Sequence, residues 1–187
     1  MPEPRPITVT VPYQDAELEP VSPERVRILR RHLVESLRDL RVDKHPERMI
    51  QEPTPEPDGF TATVLRAGCT QCRGFCCQHG GEHAYVDERT LARVRRDLPE
   101  LDARGIIRLY ADSVPELGYK DSCVFHGRTG CTLARSLRAE LCNSYYCTGL
   151  LDFLNKKPPP RAVVVVAARN GQGQKSEILR DPLNEPA

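Results

Sequence analysis

The clearest hydrophobic pattern lies near the start of the chain, where aliphatic residues recur every three or four positions. These positions are Val26, Leu29, Leu33, Leu37 and Leu40. Such spacing places them on one face of a helix. Ser22 and Pro23 precede the pattern, and a serine N-cap followed by proline is a frequent helix start. The pattern therefore predicts an amphipathic helix from about 23 to 41.

Two later stretches also predict helices. Asp87 is a suitable N-cap for a helix over about 88–98, whose apolar residues repeat one turn apart. The stretch 131–154 has a mainly helical pattern that breaks near residues 142–147.

Strand patterns are fewer and shorter. Residues 7–11 read Ile-Thr-Val-Thr-Val, and residues 163–166 are four consecutive valines; β-branched runs of this kind favour strands. Residues 60–65 alternate weakly and predict a strand that leads into the first cysteines. Gly171 and Gly173 predict a flexible turn, after which the remaining residues look loose.

These elements indicate an α+β protein: a small, irregular, metal-organised domain with a few helices, short strands and extended proline-rich flanks. Three prolines in eight residues make 51–58 a linker. The expected segments are a proline-rich arm over 1–21, a helix and linker over 22–58, a cysteine-rich domain over 59–170, and a loose tail over 171–187.

Composition explains why a metal is expected. Hydrophobic residues make up 39% of the 187 residues, aromatic residues only 5%, and there are 17 prolines. This is a low hydrophobic content for a well-buried domain. A structural zinc ion contributes roughly 10–16 kcal/mol of apparent binding free energy in small peptides, which would compensate for a thin core.

The charge balance and the start of the chain bound its partners. There are 27 basic and 26 acidic residues, for a net charge of +1, so nothing global attracts nucleic acid or an anionic membrane. No apolar run reaches the roughly 18 residues of a membrane span. The first residues lack the features of a signal peptide, and we therefore expect a cytoplasmic protein.

Eight cysteines carry the strongest chemical signal. They are Cys69, Cys72, Cys76, Cys77, Cys123, Cys131, Cys142 and Cys147. In a reducing cytosol stable disulfides are rare, so clustered thiols are more often metal ligands or catalysts. Eight thiolates match two four-coordinate sites or one cluster with bridging sulfurs, and the spacing does not choose between them.

The first four cysteines have a spacing that suits a metal. A Cys-x-x-Cys pair such as Cys69 and Cys72 can place two thiolates on one knuckle of backbone around a tetrahedral ion. Gly68 and Gly74 would permit the tight backbone of such a knuckle. The adjacent Cys76 and Cys77 cannot easily bind the same ion, so they are better placed to serve two ions, or one as ligand and one as its neighbour.

This layout resembles the bacterial YkgJ-like cysteine-cluster family, whose members are described as zinc- or iron-chelating CxxCxxCC domains. The family's first block matches the four cysteines from Cys69 to Cys77, and its middle cysteine before an aromatic matches Cys123-Val124-Phe125. Its last block matches Cys131 to Cys147, with Arg138 four residues before Cys142 and an aromatic at Tyr145. Ala139 stands where the family usually has proline. The resemblance covers about 66–150 and implies chelation of a metal through all eight cysteines.

The metal itself stays open between zinc, which we prefer, and iron or an iron–sulfur cluster. All-thiolate ligation suits both, but the cysteine gaps differ from the common ferredoxin run. His79 and His83 are additional candidate ligands in a polar loop after Cys77, and His126 is a weaker one. Arg138 and Tyr145 are candidates for supporting the ligands without binding the ion.

Three functions are compatible with this pattern. The first, which we favour, is a protein whose metal is mainly structural, held in a closed four-thiolate site. The second is a metal-dependent enzyme with an open position, either an iron or iron–sulfur oxidoreductase or a relative of the flagellin lysine methylases found in the family. The third is a metal carrier or redox sensor with exposed thiolates. Whether the protein is an enzyme, and which protein partner it has, is not determined by the sequence.

Overall fold

The computed structural model describes residues 5–43 and 45–181 and shows an α+β protein, as the sequence predicts. The helices are α1 (Pro23–Val42), α2 (Gly59–Cys72), α3 (Glu88–Asp97), α4 (Ala103–Asp112), α5 (Glu140–Ser144) and α6 (Thr148–Leu154). Short 3-10 helices cover Pro46–Met49, Phe75–His79 and Arg135–Leu137. The strands are β1 (Ile7–Pro12), β2 (Leu18–Pro20), β3 (Leu117–Tyr119), β4 (His126–Gly127), β5 (Gly130–Cys131), β6 (Ala162–Arg169) and β7 (Gln172–Arg180).

The contacts divide the chain into two interleaved units. Unit 1 comprises Met1–Asp15, Pro55–Phe75 and Tyr146–Ala187, and unit 2 comprises Ala16–Thr54 and Cys76–Tyr145. The expected cysteine-rich segment 59–170 contributes to both units, so the chain does not divide along the sequence as the four expected segments imply. The linker 51–58 has neither helix nor strand, as predicted.

Unit 1 is built on a three-stranded sheet in the order β1-β6-β7. Strand β1 is parallel to β6, and β6 is antiparallel to β7. The valine run predicted as a strand is β6, and its buried valines pack with Val9, Leu65 and Leu150 in one apolar cluster. Helices α2 and α6 pack on this sheet. Cys69 and Cys72 lie on α2, and Cys147 directly precedes α6. An ordinary core of sheet and helices therefore fixes both of these helices.

The expected loose tail is wrong over residues 172–180, which form β7. Asn170 and Gly171 both have positive φ, 50° and 77°. This is the backbone that an Asn-Gly hairpin turn requires, and it allows β7 to pair with the whole of β6. Residues 182–187 of the expected tail lie outside the described part of the chain.

The expected strand at 60–65 is also wrong, because these residues begin α2. The buried positions of this helix are Ala62, Val64, Leu65, Gly68 and Cys72. They recur at three- and four-residue spacing, which is the signature of a helix face. The apparent alternation at 60, 62 and 64 covered only the start of this longer pattern.

Unit 2 combines three packed helices with a small sheet. Helix α1 packs against α3 and α4, and strands β2-β3-β4-β5 form an antiparallel sheet. One hydrophobic cluster joins the leucines of α1 to Leu91, Ile106, Phe125 and Cys123. Composition predicts a thin core. In this unit the buried residues nevertheless form one continuous cluster, which includes a cysteine.

Helix caps were the most predictable local features of unit 2. The side chain of Ser22 accepts a hydrogen bond from the backbone of Arg25 (3.4 Å), and Asp87 accepts one from Thr90 (2.9 Å). Helices α1 and α3 therefore begin where the sequence predicts. Helix α4 has a similar aspartate cap at Asp102.

The arm expected over 1–21 is not a free arm. Residues 7–12 form β1 at the edge of the unit 1 sheet, and residues 18–20 pair with β3 in unit 2. Residues 1–4 lie outside the described part of the chain. β-branched residues at 7–11 favour pairing over a solvated extended arm.

Across the described residues, no helix combines the length and the apolar character that a membrane crossing requires.

Candidate metal centre

All eight cysteines lie within the described residues, and none of them forms a disulfide bond. Unit 2 contains five of them and unit 1 contains three. The five in unit 2 are Cys76, Cys77, Cys123, Cys131 and Cys142, and the three in unit 1 are Cys69, Cys72 and Cys147. The disulfide alternative therefore receives no support from the structure.

Two distant stretches of unit 2 meet at Cys77 and Cys123. The backbone nitrogen of Cys123 donates to the carbonyl of Cys77 (2.9 Å), and the nitrogen of Gly80 donates to the same carbonyl (3.1 Å). A Cβ atom on Gly80 would lie 2.8 Å from the Cβ of Cys123. Glycine at this position thus allows the two cysteine-bearing stretches to pack closely.

The five thiols of unit 2 interact electrostatically. A hydrogen bond from Cys77, more than any other effect, lowers the pKa of Cys76 to about 7. The same hydrogen bond, then burial, then repulsion from the thiolates of Cys76, Cys123 and Cys131, raises the pKa of Cys77. These mutual effects show that thiols from both halves of the sequence pattern lie within electrostatic range of one another.

Burial holds two further thiols in their protonated form at neutral pH. It raises the pKa of Cys123 to about 12 and that of Cys142 to about 11, and repulsion from neighbouring thiolates adds to both shifts. A metal ion that binds these sulfurs must displace their protons, because the thiolate is the ligand.

Two arginines oppose this accumulation of negative charge. Arg25 lowers the pKa of Cys123, and Arg138 lowers that of Cys142. Arg138 was predicted to support the ligands, and its guanidinium donates to the carbonyls of Leu133 (2.8 Å) and Cys131 (3.5 Å). Arg25 was missed, because one arginine among several on an amphipathic helix carries no distinguishing signal.

Arg25 also fastens the loop that follows Cys77. Its side chain pairs with Glu82 (2.8 Å) and donates to the carbonyl of Ser122. The nitrogen of Val124 donates to the carbonyl of Gly81 in the same loop (2.9 Å). The loop is therefore held from α1 on one side and from the Cys123 stretch on the other.

The loop itself adopts a strained conformation. Ala84 and Tyr85 both have positive φ, 51° and 57°, which is uncommon for residues other than glycine. The hydroxyl of Tyr85 donates to the carbonyl of His79 (2.8 Å), and its backbone nitrogen donates to Nδ1 of His83 (3.1 Å). Nearby thiolates, Cys142 first among them, add to the burial that raises the pKa of Tyr85. The polar loop expected beside the metal site is thus next to the thiols.

The histidine candidates differ in their surroundings. His79 and His83 are exposed, and Nδ1 of His83 already accepts the bond from Tyr85. His126 is fully buried, its Nδ1 lies 2.8 Å from the hydroxyl of Ser122, and its ring packs on Tyr119. The side chain of Tyr145, expected to support the ligands, is about half exposed (52%).

In unit 1, Cys69 and Cys72 lie on the last turn of α2 rather than on a separate knuckle. The helix ends at Arg73, whose φ of 55° is left-handed, and Gly74 follows with φ 67°. Gly74 therefore has the conformational role predicted for it. Gly68 instead lies within the helix, where a Cβ would come 2.7 Å from a methyl group of Leu150.

Cys72 and Cys147 belong to the same apolar cluster of unit 1. Cys72 is buried (7%), Cys147 is partly buried, and both pack with Leu150 and its neighbours. The carbonyl of Cys147 accepts from the nitrogen of Leu150 (3.0 Å) at the start of α6. The Gly68–Leu150 approach brings α2 and α6 together just beyond these two cysteines.

Within the described ranges, no group of three or more His, Cys, Asp or Glu side chains is arranged so that it could hold a metal ion as it stands. The donor chemistry of the five thiols in unit 2 nevertheless fits zinc or iron, since soft thiolates select these metals over hard cations. A cysteine sulfur moves by rotation about a single χ1 bond between staggered positions. The residues present therefore fit a thiolate-bound metal by chemistry, while the coordination geometry itself is absent.

A cavity of about 420 Å³ lies in unit 1, and no cysteine is among the residues that line it. Its walls are residues 7–10 of β1 and Thr148, Gly149, Asp152, Phe153 and Lys156 of α6 and the residues beyond it.

Comparisons with known proteins add no family assignment. No protein-family model matches the chain, and neither the curated proteins nor the solved structures gave a match. The resemblance to the YkgJ-like cysteine-cluster family stays a prediction from the sequence.

Proposed function

We propose that this protein binds a metal ion through its cysteine thiolates, with zinc preferred over iron, and that the metal is mainly structural. The observation that carries the proposal is the gathering in unit 2 of five free thiols from two distant stretches. Neighbouring thiolates repel one another, so thiols that lie close together in a folded protein are costly to ionise. A divalent cation offsets that cost.

The surroundings of Cys123 support a structural role over an enzymatic one. Cys123 is buried (8%) within the main cluster of unit 2, beside Val124 and Phe125. A metal bound there would link the loop after Cys77 and the Cys131–Cys142 stretch to the helical core. When bound in a closed four-thiolate site, zinc contributes its binding free energy to the folded state.

The chain's own residues supply the conditions for such a site. Burial and neighbouring thiolates raise the pKa of Cys123 and Cys142, and Arg25 and Arg138 partly offset this rise. The strained loop at Ala84 and Tyr85 lies within electrostatic range of four of the thiols, of which Cys76 and Cys142 are exposed to solvent. Cations and donors around thiolates commonly tune metal sites in this way.

Titration of the metal-free, reduced protein with Co²⁺ tests the proposal. Cobalt is the probe because thiolate–cobalt bonds give strong absorption in the near ultraviolet and visible, whereas zinc is colourless. We expect saturable absorption that zinc displaces, with protons released into a weakly buffered solution. A linear, unsaturable response, or absorption equal to that of a variant in which all five unit 2 cysteines are serine, would disprove the proposal.

A further inference from the structure

The segment that joins Cys131 to Cys142 is held by side chains rather than by regular secondary structure. Between β5 and α5 it contains only the 3-10 helix Arg135–Leu137. Its carbonyls accept side-chain hydrogen bonds one after another. The pairs are Arg138 to Cys131 and Leu133, Asn143 to Arg135, Arg93 to Ser136 and Arg138, and Tyr110 to Leu137.

Arg93 makes the strongest part of this arrangement. It lies on α3 with 1% of its surface exposed. One terminal nitrogen donates to the carbonyl of Gln51 (2.8 Å), and the other donates to those of Ser136 (3.2 Å) and Arg138 (2.6 Å). In the part of the chain that the structure describes, no carboxylate forms a salt bridge with it. The two terminal nitrogens of this buried guanidinium therefore donate to backbone carbonyls, whereas its buried Nε makes no hydrogen bond to the described residues.

Burial of a charged group is costly unless its hydrogen bonds are satisfied. A hydrophobic residue would fill the same space in the core at lower cost. An apolar side chain could not make these hydrogen bonds. The planar, rigid guanidinium donates to two carbonyls of one segment and to one carbonyl of the linker. Arg93 thereby sets where the Cys131–Cys142 segment lies relative to α3.

The position of Arg138 connects this contact to the thiols. Arg93 holds the carbonyl of Arg138, and the side chain of Arg138 bonds back to the carbonyl of Cys131. Tyr110 of α4 holds the intervening carbonyl of Leu137 (2.7 Å). The helical core thus holds the segment that joins the two cysteines.

We propose that Arg93 is the positioning residue of the unit 2 thiol site, fixing the Cys131–Cys142 segment from the helical core so that its thiols are prearranged for metal. This inference rests on the proposed metal-binding function and deepens it. Residues that orient ligands without touching the ion commonly change metal affinity by about 10–100-fold when they are replaced. Arg93 touches neither the thiols nor the ion.

The test compares zinc affinity and cobalt spectra in matched variants of the full chain. Arg93→Lys keeps the charge but loses the fork, and Tyr110→Phe removes one hydrogen bond to the same segment. Arg96→Met is the control, because Arg96 lies on the same helix but is exposed and pairs with Glu52 and Asp97. Affinity is measured by competition with a chromogenic chelator, and folding by circular dichroism of the metal-free proteins.

We expect Arg93→Lys to bind zinc roughly 10-fold or more weakly and to shift the thiolate–cobalt absorption, while its metal-free helix content stays normal. Tyr110→Phe should change both in the same direction by less, and Arg96→Met should match the wild type. A residue with a merely structural role would lower stability without moving the cobalt spectrum.

Wild-type affinity and spectrum in both Arg93→Lys and Tyr110→Phe would overturn the inference and leave the proposed function standing. Wild-type protein that binds neither cobalt nor zinc would overturn the proposed function, and with it this inference. Should Arg93→Lys fail to fold, Tyr110→Phe decides, since removal of one hydroxyl leaves the aromatic packing intact.

Discussion

Replacement of Cys123 by alanine should weaken the protein far more in the presence of zinc than in its absence. Cys123 is buried (8%) in the main cluster of unit 2, and its backbone is held by the carbonyl of Cys77. Val124 is the matched control, because it is its neighbour, is fully buried and belongs to the same cluster. Its side chain has no donor atom for a metal.

The magnitudes follow from packing and from ligand loss. Removal of the buried sulfur leaves a gap of about one methyl group, which costs roughly 1 kcal/mol in the metal-free protein. Val124→Ala removes two methyl groups and should cost about 1–3 kcal/mol. With zinc bound, Cys123→Ala also loses one of four thiolates; if the roughly 10–16 kcal/mol of zinc binding is divided among them, that adds about 3 kcal/mol.

The assay is urea unfolding of each variant and of the wild type, once with excess zinc and once with a chelator. We predict that the loss of unfolding free energy for Cys123→Ala is about 3 kcal/mol larger with zinc than without. For Val124→Ala the two losses should be equal. Equal losses for Cys123→Ala with and without zinc would refute the assignment of this thiol as a ligand, whatever their size.

Other predictions concern packing and pH. Gly149→Ala would place a Cβ 1.8 Å from the carbonyl oxygen of Thr10, so α6 must shift. Thermal unfolding should show that this variant loses at least about 1–3 kcal/mol of unfolding free energy. Gly68→Ala meets only the flexible end of a leucine side chain and should lose less stability; the reverse order would contradict the packing described. Burial raises the pKa of Cys123 from 9.0 to about 12, so between these pH values the folded protein keeps a proton that the unfolded chain loses. The metal-free protein should therefore lose stability as pH rises from 9 toward 12. An unfolding free energy from chemical denaturation that stays constant over this range would count against the burial of that thiol. For the same reason zinc must displace a proton from Cys123 at neutral pH, so apparent zinc affinity should increase from pH 6 to pH 8. Calorimetry in two buffers of different ionisation enthalpy should detect the released protons. An affinity independent of pH would be inconsistent with thiolate ligation.

Local signals in the sequence were sufficient for several elements. The caps at Ser22 and Asp87 act over three residues and place α1 and α3 correctly. The valine run forms β6 because it is buried on a sheet, which is the environment that β-branched residues favour. The Asn170-Gly171 pair also carries a hairpin signal, but its partner strand is polar and exposed, so alternation did not reveal it.

Other features depend on residues far apart in the sequence. The weak alternation at 60–65 competed with a helical pattern that becomes clear only when Gly68 and Cys72 are included. The roles of Arg25 and Arg93 depend on contacts 42–97 residues away, which no local pattern encodes. The sequence pattern also groups all eight cysteines together as candidate ligands. Their division between two units depends on contacts along the whole chain, which that pattern does not encode.

The most direct test of the central claim is the metal content of the full chain purified without oxygen, measured by elemental analysis together with its visible spectrum. We predict colourless protein that contains stoichiometric zinc, and the loss of that zinc when the five unit 2 cysteines are replaced by serine. Brown protein with iron and inorganic sulfide would contradict the preference for zinc. Protein that contains no metal and binds none on addition of zinc would contradict the account as a whole.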